Sequence, residues 1–358
     1  MILLNPGPVT LSPGVRQALA GPDLCHREPE FAALQASIRD SLLRVYGLPD
    51  DTWAAVLLAG SGTAAVEAML TSLVPRDGRL LVIENGVYGE RMTAIAEAHG
   101  IDHRALAYPW ESQTEIKGIE QLLNANPEVT HLAVVHHETT TGRLNDLTAL
   151  GELCYAHGVY LLVDAVSSFG AEAIDFGHPG IAACAATANK CLHGAPGVSF
   201  VIVRREQLSA ASPRTVYLDL ANYCREQDRR GTPFTQPVHV FYALEQALAE
   251  LEAQGGRAAR HAHYHALAAK VRHGLASLGI EPLLAECKTS VVLGAYRLPD
   301  GISYDTFHDG LKARGFVIYA GQGKFAKTIF RVAVMGAITT ADIDRLLAAF
   351  HTILQAQT

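Results

Sequence analysis

Short, continuous apolar runs that stop at glycine alternate with amphipathic stretches over the first two-thirds of the chain. Residues 54–59 form one such run, halted by Gly60-Ser61-Gly62 and followed by a helical pattern over 63–73. The same move recurs at 79–84 with a helix near 88–99, and at 131–136 with a helix near 147–156. Residues 159–164, 183–187 and 198–203 are further buried strand candidates. Strands that are apolar on both faces, alternating with helices, predict an α/β fold with a mostly parallel sheet covered on both sides. After about residue 233 the rhythm changes, and 238–254 and 257–278 read as long helices parted by Gly255-Gly256. Strand-like runs at 290–296, 317–319 and 329–334, with helices near 304–314 and 340–355, make a smaller α+β unit. The expected division is a large domain over 15–255 and a small domain built from 1–14 and 256–358.

Composition narrows the function. With 358 residues, 49% of them hydrophobic and 18% charged, the chain can bury a core, which excludes a disordered or fibrous protein. No apolar run approaches the roughly 20 residues of a bilayer span, so no membrane partner is expected. The opening MILLNPGPVT has no basic region and is interrupted by prolines, which predicts a cytoplasmic protein. A net charge of −7 gives no basic surface for nucleic acid, and a small-molecule partner is expected instead. The six cysteines form no C-x-x-C pair and read as free, mostly buried thiols in a reducing compartment. Of His261, His263 and His265 only the outer two share a helix face. No adjacent acid or thiol completes a ligand set, so no metal is expected and a solvated face is the reading.

Chemistry gathers at the strand ends. Asp164 closes the apolar run Tyr160-Leu161-Leu162-Val163, where open α/β sheets place their ligands. Alone it would read as a helix cap. Lys190 follows the next strand, in the small, apolar setting Ala186-Thr187-Ala188-Asn189-Lys190-Cys191. A charged lysine is costly to bury there unless it is tuned or used covalently. A strand-end Asp with a later strand-end Lys is what pyridoxal phosphate chemistry requires. The Lys forms a Schiff base, and the Asp keeps the pyridine nitrogen protonated. Gly60-Ser61-Gly62-Thr63, between a strand and a helix, can offer backbone N–H groups and two hydroxyls to a phosphate. It is neither a Walker loop nor G-x-G-x-x-G.

Several stretches carry a resemblance. They are Leu4-Asn5-Pro6-Gly7-Pro8, Gly60-Ser61-Gly62-Thr63, Asn85-Gly86-Val87-Tyr88-Gly89-Glu90-Arg91-Met92 and His136-His137-Glu138-Thr139-Thr140-Thr141-Gly142. Further on stand Val163-Asp164-Ala165-Val166-Ser167-Ser168-Phe169-Gly170, Ala188-Asn189-Lys190-Cys191, Phe316-Val317-Ile318-Tyr319-Ala320-Gly321 and Phe330-Arg331-Val332. On these the chain resembles the class V, fold type I pyridoxal phosphate aminotransferases over nearly its whole length. The Glu-Thr-Thr-Thr-Gly and Ala-Asn-Lys-Cys forms are similar to the branch that uses 2-aminoethylphosphonate and pyruvate.

The resemblance implies a large domain with a seven-stranded, mostly parallel sheet, a small C-terminal α+β domain, and a homodimer with shared active sites. It implies Lys190 as the Schiff-base lysine and proton carrier, and Asp164 as the pyridinium partner. Ser61, Gly62 and Thr63 match the phosphate cup, with Thr235 a phosphate ligand given by the other subunit. Tyr88 matches the ring-stacking aromatic, Thr139 the hydroxyl on the ring's phenolic oxygen, and Val166 an apolar contact on the opposite ring face. Arg331 matches the clamp for the substrate's anionic group, where a bidentate guanidinium suits carboxylate and phosphonate alike. Read alone, Arg331 would as readily be a surface salt bridge at a strand end.

The stretch 24–31 is closer to the wider class than to the phosphonate branch, which keeps an alanine– or serine–glyoxylate (or –pyruvate) exchange open. Arg27 there reads as pairing with Glu28 or Glu30, or else as a second charge for a phosphonate. A desulfurase is disfavoured, since none of the six cysteines lies in a Gly/Ser-rich loop. A nucleotide-binding module would leave Lys190 without a role.

Overall fold

A computed structural model describes residues 1–356. Seven strands form the central sheet: β1 (Trp53–Ala59), β2 (Arg79–Glu84), β3 (His103–Ala107), β4 (Val129–Val135), β5 (Tyr160–Asp164), β6 (Ile181–Thr187) and β7 (Val198–Arg204). Their order is β1-β7-β6-β5-β4-β2-β3, and only β7 runs against its neighbours. The segment joining β6 to β7 is too short for a crossover helix, so the chain returns antiparallel. The inner strands are buried on both faces, as their unbroken apolar runs require; all of β6 is buried.

Two helical layers cover the sheet. One face packs against α1 (Pro29–Arg44), α4 (Ile116–Ala125), α5 (Leu147–Ala156) and α6 (Val238–Ala253), with Ala55 and Leu57 of β1 turned towards them. The other packs against α2 (Gly62–Leu73) and α3 (Val87–Ala98), facing Val56 and Leu58. The period-2 alternation of strand side chains feeds both cores. Several elements escape the sequence pattern, among them the helix Leu220–Asp228 and three others. Helix α1 follows a proline-bounded loop, α4 is short, and β3 is an edge strand whose residues are mostly exposed or half-buried.

Gly255 and Gly256, at φ 96° and 73°, break the chain between α6 and α7 (Gly256–Ser277). Both conformations are left-handed and suit glycine. A second core follows, built from α7 and the helices Tyr304–Lys312 and Thr340–Gln355 on a three-stranded antiparallel sheet. That sheet is β8 (Leu293–Arg297), β9 (Tyr319–Ala320) and β10 (Ile329–Ala333), in the order β8-β10-β9. Leu4 and Val9 from the chain start enter the same core, and Ile2–Leu3 pairs in parallel with Phe316–Val317. The run expected as one strand at 317–319 is therefore two. Phe316–Val317 pairs with the N-terminal segment and Tyr319–Ala320 with β10. The strand expected from 290 begins only at Leu293, because Ser290 and Val291 bind the Glu172 carboxylate instead.

Among the described residues no helix is long and apolar enough to cross a membrane, and no His/Cys/Asp/Glu group is arranged for a metal. His261 is less solvated than expected. Its Nε2 lies 3.6 Å from the buried Glu172 carboxylate, an acid too far off in sequence for spacing to reveal. All six thiols are free, with Cys25 and Cys287 exposed.

Candidate active site

The carboxyl ends of β4, β5 and β6 meet the N-terminus of α2. Asp164 ends β5 and is buried, its Oδ1 accepting the Val166 N–H at 2.9 Å. Burial pushes its pKa up to about 6, against the Val166 N–H and the charges of Lys190 and Arg91, which pull it down. Lys190 follows β6. Its Nζ donates to the Pro6 carbonyl, and a Cβ at Gly7 would lie 2.8 Å from its Cε. The loop at 5–8 thus closes over the lysine stem, and only glycine permits that approach. Burial lowers the Lys190 pKa to about 8, partly offset by Cys191 and Asp164.

The start of α2 is open for a ligand. Ser61 occupies the cap position, but its side chain makes no capping hydrogen bond. The first N–H groups of the helix therefore stay available, as an anion site needs. A Cβ on Gly62 would sit 2.7 Å from Val166 Cγ1, so glycine here lets the loop and Val166 close on each other. Thr63, Tyr88, Arg91, Asp164 and Val166 line one small cleft. Arg91 was not singled out by the sequence. Its guanidinium lies 4.9 Å from the Tyr88 ring centre, and its Nη1 donates to Thr63 Oγ1 at 3.3 Å.

Thr139 has a buried Oγ1 with no partner, while its carbonyl accepts from Arg331 Nη1 at 3.0 Å. Arg331 is no surface salt bridge. It is 2% exposed, and Nε and Nη1 donate to the Ala320 carbonyl and the Gln322 side chain at 2.9 and 3.1 Å. Among the described residues no carboxylate pairs with it, and Nη2 has no partner. A buried, positioned guanidinium without a counter-ion is a receptor for an anion.

One residue that sequence reasoning missed ties these groups together. Glu138 is fully buried, and its carboxylate accepts the backbone N–H groups of Thr140 (3.0 Å) and Tyr88 (3.2 Å) and the Thr140 hydroxyl (2.6 Å). Thr140 Oγ1 in turn accepts the Val87 N–H at 3.2 Å. The first turn of α3 is thereby capped by a distant turn, which fixes Tyr88 beside Thr139. Burial raises the Glu138 pKa to about 7, while its hydrogen bonds pull it down. Glu138→Gln puts an amide N–H₂ against groups that are themselves donors. A loss of about 1–3 kcal/mol is expected for a broken hydrogen bond to a charged acceptor, measurable as a lower urea midpoint.

Two expected positions stand apart. Thr235 is exposed on the segment 231–237 and makes no hydrogen bond to the described residues. Arg27 is exposed and pairs with neither Glu28 nor Glu30, so the expected surface ion pair does not form.

Comparison with known proteins agrees with this geometry. Residues 23–345 match the aminotransferase class-V family. The chain is 40% identical to a 2-aminoethylphosphonate–pyruvate transaminase of Aeromonas hydrophila, covering 97% of this chain and 93% of that one. It is 37% identical to one of Phocaeicola vulgatus, covering 98% of each. Among solved structures, an aspartate aminotransferase of Thermus thermophilus superposes with a TM-score of 0.91 at 28% identity over the full length of both chains. An alanine–glyoxylate aminotransferase of Nostoc sp. gives the same TM-score and identity, covering 99% of this chain and 95% of that one. With a half-buried Lys and a buried Asp at adjoining strand ends, an open helix N-terminus and a match over nearly the whole chain, this protein belongs to the class-V aminotransferases, enzymes that work with pyridoxal phosphate.

Proposed function

We propose that the protein transfers the amino group of 2-aminoethylphosphonate to pyruvate, giving phosphonoacetaldehyde and L-alanine. The observation that carries this reading is the near-full-length identity to transaminases of that name from distant bacteria. The Nostoc neighbour, at 28% identity, supports an alanine–glyoxylate exchange only as another activity of the same family. The test is a donor panel of 2-aminoethylphosphonate, alanine and serine with pyruvate and glyoxylate as acceptors. The expected result is a kcat/KM for 2-aminoethylphosphonate with pyruvate above that of every other pair; a higher value for alanine or serine with glyoxylate would overturn the reading.

The pocket fits pyridoxal phosphate. Supporting features are the unpartnered Thr139 hydroxyl, the uncapped start of α2 and the Gly62–Val166 approach. Ser61, Gly62 and Thr63 would hold the phosphate, Thr139 the phenolic oxygen, Asp164 the ring nitrogen, and Tyr88 and Val166 the two ring faces. When bound, the cofactor supplies an electron sink and carries the amino group between substrates. Lys190 Nζ, with its pKa near 8, is partly neutral at physiological pH and can take and hold a proton from the donor's amine-bearing carbon. Asp164 keeps a negative charge facing the ring nitrogen. Arg331 orients each substrate by its phosphonate or carboxylate.

Arg331→Lys keeps the charge but loses the planar fork. Loss of a charge-assisted pair costs about 1.5–3 kcal/mol, or roughly one to two decades in kcat/KM for both half-reactions. Single-turnover measurement of each half-reaction checks this, and two unaffected halves would remove Arg331 from the site.

The same reading divides the chain into a large domain at 15–255 and a small one at 1–14 and 256–358. The core joining Leu4 and Val9 to residues from 264 onward, with Ala171 and Cys191 its members from the larger unit, supports it. The working form is a cytoplasmic homodimer in which Thr235 reaches the phosphate held by the other subunit. Its exposure on a loop that makes no use of its hydroxyl supports this. Dilution to monomers should weaken cofactor binding, as followed by fluorescence.

A further inference from the structure

A cavity of about 400 Å³ shares no lining residue with the cleft formed by Thr63, Tyr88, Asp164 and Val166. Arg143, Thr114 and His178 line it from the large sheet domain, and Cys287 and Lys288 from the segment leading to β8. Arg143 is 3% exposed, yet no acid pairs with its guanidinium among the described residues. Nη2 donates to the Glu111 carbonyl, and Nε is buried without any partner. Burial lowers its pKa. Thr114, 6% exposed, likewise has a hydroxyl with no hydrogen bond. Lys288 is half-buried, donates only to Gln113 and has no carboxylate partner among the described residues. The acids of the same cavity, Asp146 and Asp175, are exposed, and each spends an oxygen on a local backbone N–H. A positive charge with unspent donors at the base, and acids only where water reaches them, is a setting for an oxyanion.

The position matters as much as the charge. Arg143 pairs through its backbone with Glu138, the residue that fixes Tyr88. It also bridges Thr289, next to Lys288. An anion held by both cations would fasten the two cores together at the root of the catalytic turn.

We propose that this cavity is a second, non-catalytic site that takes a small oxyanion (phosphate, phosphonate or carboxylate) on Arg143, with Lys288 as the second cation. The test is thermal unfolding of the holoenzyme titrated with inorganic phosphate, methylphosphonate or acetate at constant ionic strength. The wild type is expected to show a saturable rise in Tm with at least one of the three, and the most effective one identifies the oxyanion class. Arg143→Met should abolish the rise without lowering the starting Tm, since methionine replaces an unpaired buried charge. Lys288→Ala, a change at a half-buried position outside both cores, should need about tenfold more anion for half the effect, the loss of one charge-assisted contact. Arg331→Lys should retain the rise. No saturable rise in the wild type, an equal rise in Arg143→Met, an unshifted titration in Lys288→Ala, or loss of the rise in Arg331→Lys would each overturn the proposal.

Discussion

Replacing Lys190 by alanine is expected to lower turnover by about 10⁴-fold or more, the upper range for a group that moves the reacting proton. The fold should survive. Lys190 lies in a segment held by its own backbone bonds, with the His193 N–H donating to the Lys190 carbonyl at 2.9 Å. Its stem lies under the 5–8 loop and not within a core cluster. Circular dichroism should be unchanged, while the visible absorption of covalently held cofactor disappears. Added methylamine offers a sharper check, because an amine acting in place of the missing Nζ should restore part of the rate. A variant that transaminates within tenfold of the wild type would mean that the proton is carried by another group.

Asp164→Asn is expected to separate activity from stability. The substitution removes the negative charge that faces the ring nitrogen. Breaking a buried charged pair costs about 3–5 kcal/mol, or roughly two to four decades in kcat. The protein without cofactor should respond in the opposite sense. Its Asp164 titrates at about 6, above the usual 3.8, because burial penalises the charged form. A carboxyl raised in the folded state costs stability progressively as pH climbs from 3.8 to 6, and the full cost remains above 6. The cofactor-free Asn variant should therefore unfold at a higher urea concentration than wild type at pH 7, with the gap closing near pH 4. A cofactor-free variant less stable than wild type at pH 7 would show that the carboxylate holds the strand end together.

Much of this was written in the order of residues. The apolar runs ending at Gly60, Asp164 and Thr187 located three strand ends, and all three meet at the site. Local pattern sufficed because parallel strands are short, apolar and punctuated by glycine. Glu138 stood in a quoted motif, but its role was invisible for the opposite reason. Its partners include Tyr88, which lies 50 positions away, and nothing in either neighbourhood signals that a helix is capped from a distance. Arg331 was found through its motif, but its grip by the carbonyls of Ala320 and Thr139 depends on two cores meeting. The edge strand β3 was missed because a strand exposed on one side need not be apolar.

The pairing of Ile2–Leu3 with Phe316–Val317 has a consequence for how the molecule is made. Ile2–Leu3 leaves the ribosome well before its partner strand, which emerges about 300 residues later. At ~5–20 residues per second that interval is roughly 15–60 s. Pro6 and Gly7, which close over Lys190, are carried on the same segment. The lysine therefore lies uncovered while the 126 residues from 190 to 316 are made, about a third of the chain, and its pocket is finished only as the second core emerges. A nascent chain arrested before residue 316 should expose Lys190 to amine-reactive reagents that the finished enzyme excludes.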